Sequence, residues 1–112
     1  MRALDGEQLL VRIFIGEADK HHHQPLHVAL LERLRREGFA GATATRGIAG
    51  FGAKSVIHTT QILRLSEDLP VVVEVVDTEA QIESKLRPIL DEMVREGLVT
   101  VEKVRVWRYL PG

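Results

Sequence analysis

The chain has no cysteine, which excludes disulfides, thiolate catalysis and zinc or iron–sulfur centres built on cysteine. Aromatic residues are scarce, at three Phe, one Trp and one Tyr, too few for the stacking platforms of an RNA-recognition sheet. Neither sign of charge prevails. Fifteen basic residues against sixteen acidic ones leave a net charge of −1, which argues against a nucleic-acid partner. No apolar run approaches the roughly 20 residues of a membrane span, and no signal-peptide pattern opens the chain. The 112 residues suffice for a single core, and the expectation is one cytoplasmic domain over 1–112.

Apolar spacing then divides the chain. Residues 1–7 read as a short polar leader. Leu9, Leu10, Val11, Ile13, Phe14 and Ile15, interrupted by Arg12, predict a strand ending at Gly16. From Pro25, Leu26, Leu30, Leu31 and Leu34 fall at helical spacing. The run Arg35-Arg36-Glu37-Gly38-Phe39 supplies a cationic last turn, a glycine for a left-handed cap and an apolar residue to pack back. A short strand is expected at Ala42–Arg46. The second half repeats this plan. Val71–Val76 predicts a strand with Glu74 inside it, and Thr78 with Gln81 makes a capping-box pattern before Ile82, Leu86, Leu90 and Met93. Pro88 should kink that helix or divide it into two turns. Its end, Arg95-Glu96-Gly97-Leu98, echoes the first, and a last strand is expected from Val99 to Tyr109.

Strand–helix–strand twice over predicts an α+β, ferredoxin-like βαββαβ sandwich with both helices on one sheet face. The other face would expose side chains such as Leu10, Val73 and Val75, and an uncovered apolar face in a small chain points to self-association.

Residues 38–66 contain no carboxylate, but they hold Arg46, Lys54, His58 and Arg64. Within them, Arg46-Gly47-Ile48-Ala49-Gly50-Phe51-Gly52-Ala53-Lys54 carries three glycines between two cations. Successive glycine N–H groups can converge on an anion, and arginine adds a bidentate fork for phosphate. The candidate anion-binding residues are therefore Arg46, Gly47, Gly50, Phe51, Gly52, Lys54 and His58. The plain alternative is a solvated hairpin loop. The segment is not a Walker A loop, because no Gly-Lys-Ser/Thr opens a helix. His21, His22 and His23, with His27 nearby, offer imidazole suited to zinc, nickel or copper. Consecutive loop histidines rarely point at one centre, so no metal site and no cofactor are expected. Glu17 and Asp19 have no nucleophile beside them in sequence and read as capping and surface charge. No triad is present.

Gly16-Glu-Ala-Asp-Lys20, Gly41-Ala-Thr43, Arg46-Gly-Ile-Ala-Gly-Phe-Gly52, Ile57-His-Thr59, Leu65-Ser-Glu-Asp-Leu-Pro70 and Gly97-Leu-Val, in this order, resemble an uncharacterised prokaryotic family of PII-like proteins, domain of unknown function 190. The resemblance covers residues 8–109. It implies a ferredoxin-like fold, a homotrimer and kinship with the nitrogen-regulatory PII signalling proteins. Those bind adenine nucleotides between subunits and signal through a long loop after the second strand, which corresponds to residues 47–60 here. The chain departs from true PII proteins in three ways. No Gly-rich segment ending in Gly-Lys separates the second helix from the last strand, the long loop has no Tyr, and the basic C-terminal element of PII is expected to be missing.

Three functions compete. The first is a trimeric, non-enzymatic sensor that binds an adenine nucleotide or similar small anion and acts on a protein or membrane-transporter target through loop 47–60. The second is a divalent-metal-binding trimer resembling the cation-tolerance proteins, supported only by the histidines. The third, a phosphate-handling enzyme such as an acylphosphatase, wants an asparagine to orient water, and the chain has none.

Overall fold

The computed structural model describes residues 3–51, 58–59 (backbone only) and 69–111. Four strands form one antiparallel sheet: β1 Leu4–Gly16, β2 Ala42–Arg46, β3 Pro70–Asp77 and β4 Leu98–Tyr109, in the spatial order β2-β3-β1-β4. Helix α1, Leu26–Arg36, joins β1 to β2, and helix α2, residues 79–93, joins β3 to β4. This is the ferredoxin-like topology expected from the repeated strand–helix–strand plan. The first strand is longer than its apolar run suggests. It begins at Leu4, inside the stretch read as a leader, because Leu4 is buried and pairs with Tyr109 across a register shift.

The end of α1 is built as its residues require. Glycine tolerates the left-handed conformation that terminates a helix, and Gly38 adopts φ +84°. The Gly38 N–H donates to the Arg35 carbonyl (3.2 Å) and the Phe39 N–H to the Leu34 carbonyl (3.1 Å). Phe39 is buried in the core that Leu34 also joins. The second helix does not copy this. It stops at Met93 with Val94 extended, and Gly97 serves close approach instead, since a Cβ there would lie 2.6 Å from the Phe14 carbonyl oxygen. Only half of the expected capping box forms. Thr78 Oγ1 accepts the Gln81 N–H (3.1 Å), but the Gln81 side chain reaches to the Glu37 carbonyl (3.3 Å). Pro88 is accommodated by a π turn over Ile82–Leu86, closed by the Arg87 N–H on the Ile82 carbonyl. The wider turn relieves the hydrogen bond that proline cannot make.

The core lies between sheet and helices. Val11, Ile13 and Ile15 of β1 and Val71, Val73 and Val75 of β3 meet Leu26, Leu30, Leu34, Ile82, Leu86, Ile89 and Met93. Val73 and Val75, expected on the uncovered face, thus belong to the covered one. The pairings Leu10↔Val76, Arg12↔Glu74 and Phe14↔Val72 set the other face one residue out of phase, because strand side chains alternate. That helix-free face carries Leu10, Phe14, Val72 and Val76 around a charged centre, where the Arg12 guanidinium donates to Glu74 (2.8 Å) and to Glu102. These two bonds, Glu74 first, raise the Arg12 pKa above its ordinary value.

Candidate functional site at the base of the long loop

The chain's candidate cation stands at one end of the sheet. Arg46 closes β2, paired with Val71 at the start of β3. The chain then turns over Pro70. The Gly47 N–H donates to the Pro70 carbonyl (2.7 Å), and a Cβ on Gly47 or Gly50 would sit 2.9 Å from Pro70 Cγ. A side chain at either position would collide with a rigid ring, which is the local reason for two of the three glycines. Ala49–Gly50 next pairs with His58–Thr59 in a short antiparallel ladder, so the loop leaves the sheet through a closed neck. Ile48 (76 % exposed) and Phe51 (71 %) project into solvent at that neck. Gly52, Lys54 and the His58 side chain lie outside the described residues.

One neighbour of Arg46 was not legible in the carboxylate-free stretch. Glu17, just past the end of β1, accepts a hydrogen bond from the Arg46 guanidinium. Its backbone is held in turn: the Glu17 N–H donates to the Leu69 carbonyl (2.7 Å). The Gly16 N–H donates to Asp19 Oδ2 (2.9 Å), and the Asp19 N–H to the Gly16 carbonyl (3.1 Å). The expected role of Asp19 as a local cap holds. Glu17 adds to its surface charge an ion pair with Arg46, because topology brings the ends of β1 and β2 together at the start of β3. No sequence spacing announces that contact, which joins residues 29 positions apart. The potential around Arg46 is therefore more balanced than 38–66 alone implies.

The histidines occupy a different device. Lys20 and His21 pair with Pro25 and Gln24, and His22 and His23 form the two-residue turn between them, both at positive φ (50° and 69°). Such turns require positive φ at both central positions and usually employ Asn-Gly. His21 and His22 meet edge to face, their ring centroids 4.2 Å apart. Among the described residues no group of three His, Asp or Glu side chains is placed to hold a metal ion. Glu92 carries a carboxyl pKa below the ordinary value, chiefly because Arg33 donates hydrogen bonds to it (3.0 and 3.2 Å), with small contributions from His21 and His22. His27, on α1, buries Nδ1 without a hydrogen-bond partner.

A second basic and aromatic group lies at the opposite end of the sheet. Asp5, Gly6, Arg105, Val106, Trp107 and Arg108 line an open hollow, with Trp107 87 % exposed. Because β1 runs from this end toward Gly16, the hollow is separate from Arg46 within one chain. From residue order this stretch was recognisable only as the last strand, Val99 to Tyr109.

A two-helix, four-stranded sandwich with a necked loop after its second strand defines a PII-like domain. The fold matches that of CPII, a nitrogen regulatory PII-like protein from Thiomonas intermedia K12 solved bound to ADP, AMP and bicarbonate. The TM-score is 0.60 at 17 % identity, over 94 % of this chain and 91 % of that one. The chain belongs to the DUF190 family, whose model, described as an uncharacterized ACR, matches residues 8–106. A UPF0166 protein of Aquifex aeolicus is 39 % identical over 97 residues, 87 % of this chain and 90 % of the relative. Another, from Methanocaldococcus jannaschii, is 32 % identical over 99 residues, covering 88 % and 91 %.

Proposed function

We propose that the chain is a PII-like sensor that binds an adenine nucleotide or a similar small anion and reports its presence through loop 47–60. The observation that carries this reading is the position of Arg46, a guanidinium at the rigid edge of the sheet where the loop neck begins. Gly47 and Gly50 bring backbone close beside it over Pro70, and Phe51 stands exposed next to them. Likeness in fold to a protein solved with ADP, AMP and bicarbonate supports the ligand class. Gly52, Lys54 and His58 complete the proposed set.

The active form is proposed as a cytoplasmic homotrimer with the ligand between subunits, and the role is binding, not catalysis. The support for assembly is the helix-free face, where Leu10, Phe14, Val72 and Val76 have no helix over them. An interface of standard size, about 1,200–2,000 Å², would withdraw these side chains from water. A protein or membrane-transporter target would then read the loop. Among the described residues no helix is long and apolar enough to cross a membrane.

The test is calorimetric titration with AMP, ADP, ATP and cyclic AMP. Losing one charge-assisted contact costs about 1.5–3 kcal/mol, so Arg46→Ala should weaken binding roughly 10- to 150-fold without unfolding the protein. No binding below millimolar concentration, or equal binding by Arg46→Ala, refutes the site.

A further inference from the structure

The guanidinium on which the proposed anion contact rests already holds an anion, the carboxylate of Glu17. We infer that Glu17 is the resting occupant of the site, an internal competitor that a ligand oxyanion displaces from Arg46. The inference rests on the anion-binding reading of Arg46 and adds its control.

Three observations carry it. First, the pairing is built by the backbone. Glu17 donates its N–H to the Leu69 carbonyl and Gly47 donates its N–H to the carbonyl of the next residue, Pro70, both at 2.7 Å. The two carbonyls are consecutive, so one short piece of chain holds Glu17 and the residue after Arg46 at a set separation. Second, the turn carrying Glu17 is braced by Asp19 on the Gly16 N–H, which leaves Glu17 as the side chain of this turn that reaches the loop. Third, the two partners differ in exposure. The Glu17 side chain is 22 % exposed and that of Arg46 62 %, so the carboxylate sits on the inner side and the guanidinium keeps an outer side open to solvent.

Chemistry supplies the consequence. Guanidinium presents a planar fork of donors that fits a carboxylate or a phosphate equally well. A carboxylate on that fork is thus a stand-in for a ligand oxyanion, and not for a halide or a neutral solute. Exposed ion pairs are weak, because water screens them. The internal carboxylate therefore holds Arg46 in place when the site is empty yet yields to a phosphate that brings further contacts. Ligand entry would leave Glu17 unpaired at the loop neck, beside the Gly47–Pro70 hydrogen bond, and so transmit occupancy to the backbone from which the loop departs.

The experiment titrates the full chain with ADP and with inorganic pyrophosphate by calorimetry. It compares wild type, Glu17→Gln, Arg46→Ala and the double variant. Removing the competing charge should tighten binding about two- to fivefold, and the gain should vanish once Arg46 is absent. If wild type binds and Glu17→Gln binds equally or more weakly, Glu17 is no competitor, while the Arg46 site stands. A gain that persists undiminished in the Arg46→Ala background assigns Glu17 a general charge effect and overturns the inference. If neither wild type nor Glu17→Gln binds either probe below millimolar concentration, the anion site itself is wrong and this inference falls with it.

Discussion

Replacing Asp77 by alanine should destabilise the fold more than any surface change, although the residue lies far from Arg46. Asp77 is a fully buried acid. Its Oδ2 accepts the Ala40 N–H (3.0 Å) and its Oδ1 the Thr78 N–H (2.7 Å), while the Tyr109 hydroxyl donates to the Ala40 carbonyl (2.7 Å). One carboxylate thereby joins the loop after α1, the start of α2 and, through Ala40, the end of β4. A hydrogen bond to a charged group contributes about 1.5–3 kcal/mol, and a buried donor left without a partner bears its full desolvation cost. Two such bonds give about 3–6 kcal/mol, and water entering the vacated space at Thr78 brings the expectation toward about 3–4 kcal/mol. Urea denaturation at fixed protein concentration measures this. With a slope of about 2 kcal/mol/M, the midpoint should fall by about 1.5–2 M at unchanged slope. Asp77→Asn keeps one acceptor but turns an amide donor toward one N–H group, so it should lose about half as much. Either variant within 0.5 kcal/mol of wild type, a bound of the order that ordinary surface substitutions show, would refute the reasoning.

Other outcomes follow from the same structure. If the proposed trimer forms through the helix-free face, Phe14→Glu should dissociate it while leaving the monomer folded, and light scattering that finds wild type a stable monomer at micromolar concentration would refute the trimer proposal. Replacing His22-His23 by Asn-Gly should stabilise the fold by about 1 kcal/mol, because those residues accept positive φ more readily, and thermal unfolding reads the change. Replacing His21, His22 and His23 together by alanine should leave nucleotide binding unchanged. Sub-micromolar zinc or copper binding by wild type, lost in that triple variant, would favour the metal-binding alternative. Glu92 has a folded-state pKa lowered by Arg33. Its contribution should be complete above the unfolded carboxylate value and disappear as pH falls through the lower folded value. NMR titration of the Glu92 carboxyl should show that lowered midpoint in wild type and its return toward the ordinary value in Arg33→Met.

Much of this molecule is local and was therefore readable from residue order. Helical spacing of Leu26, Leu30 and Leu34, the β-branched run of β3, and the Arg36-Glu37-Gly38-Phe39 stop all act over a few residues, and each formed the expected element. Two such units, once recognised as repeats, also implied the topology, since right-handed crossovers leave few alternatives. Strand phase was harder. Nearly continuous apolar runs such as Val71–Val76 look alike on both faces, and only the register with β1 decided that Val73 and Val75 face the helices while Val72 and Val76 do not. The site divided along the same line. Arg46 and its glycines are neighbours in sequence and drew attention as a cluster, whereas Glu17 stands 29 positions earlier and meets Arg46 only because β1 and β2 end together at β3. Short-range preference is written residue by residue; a charge pair across strands exists only once the sheet has brought its ends together.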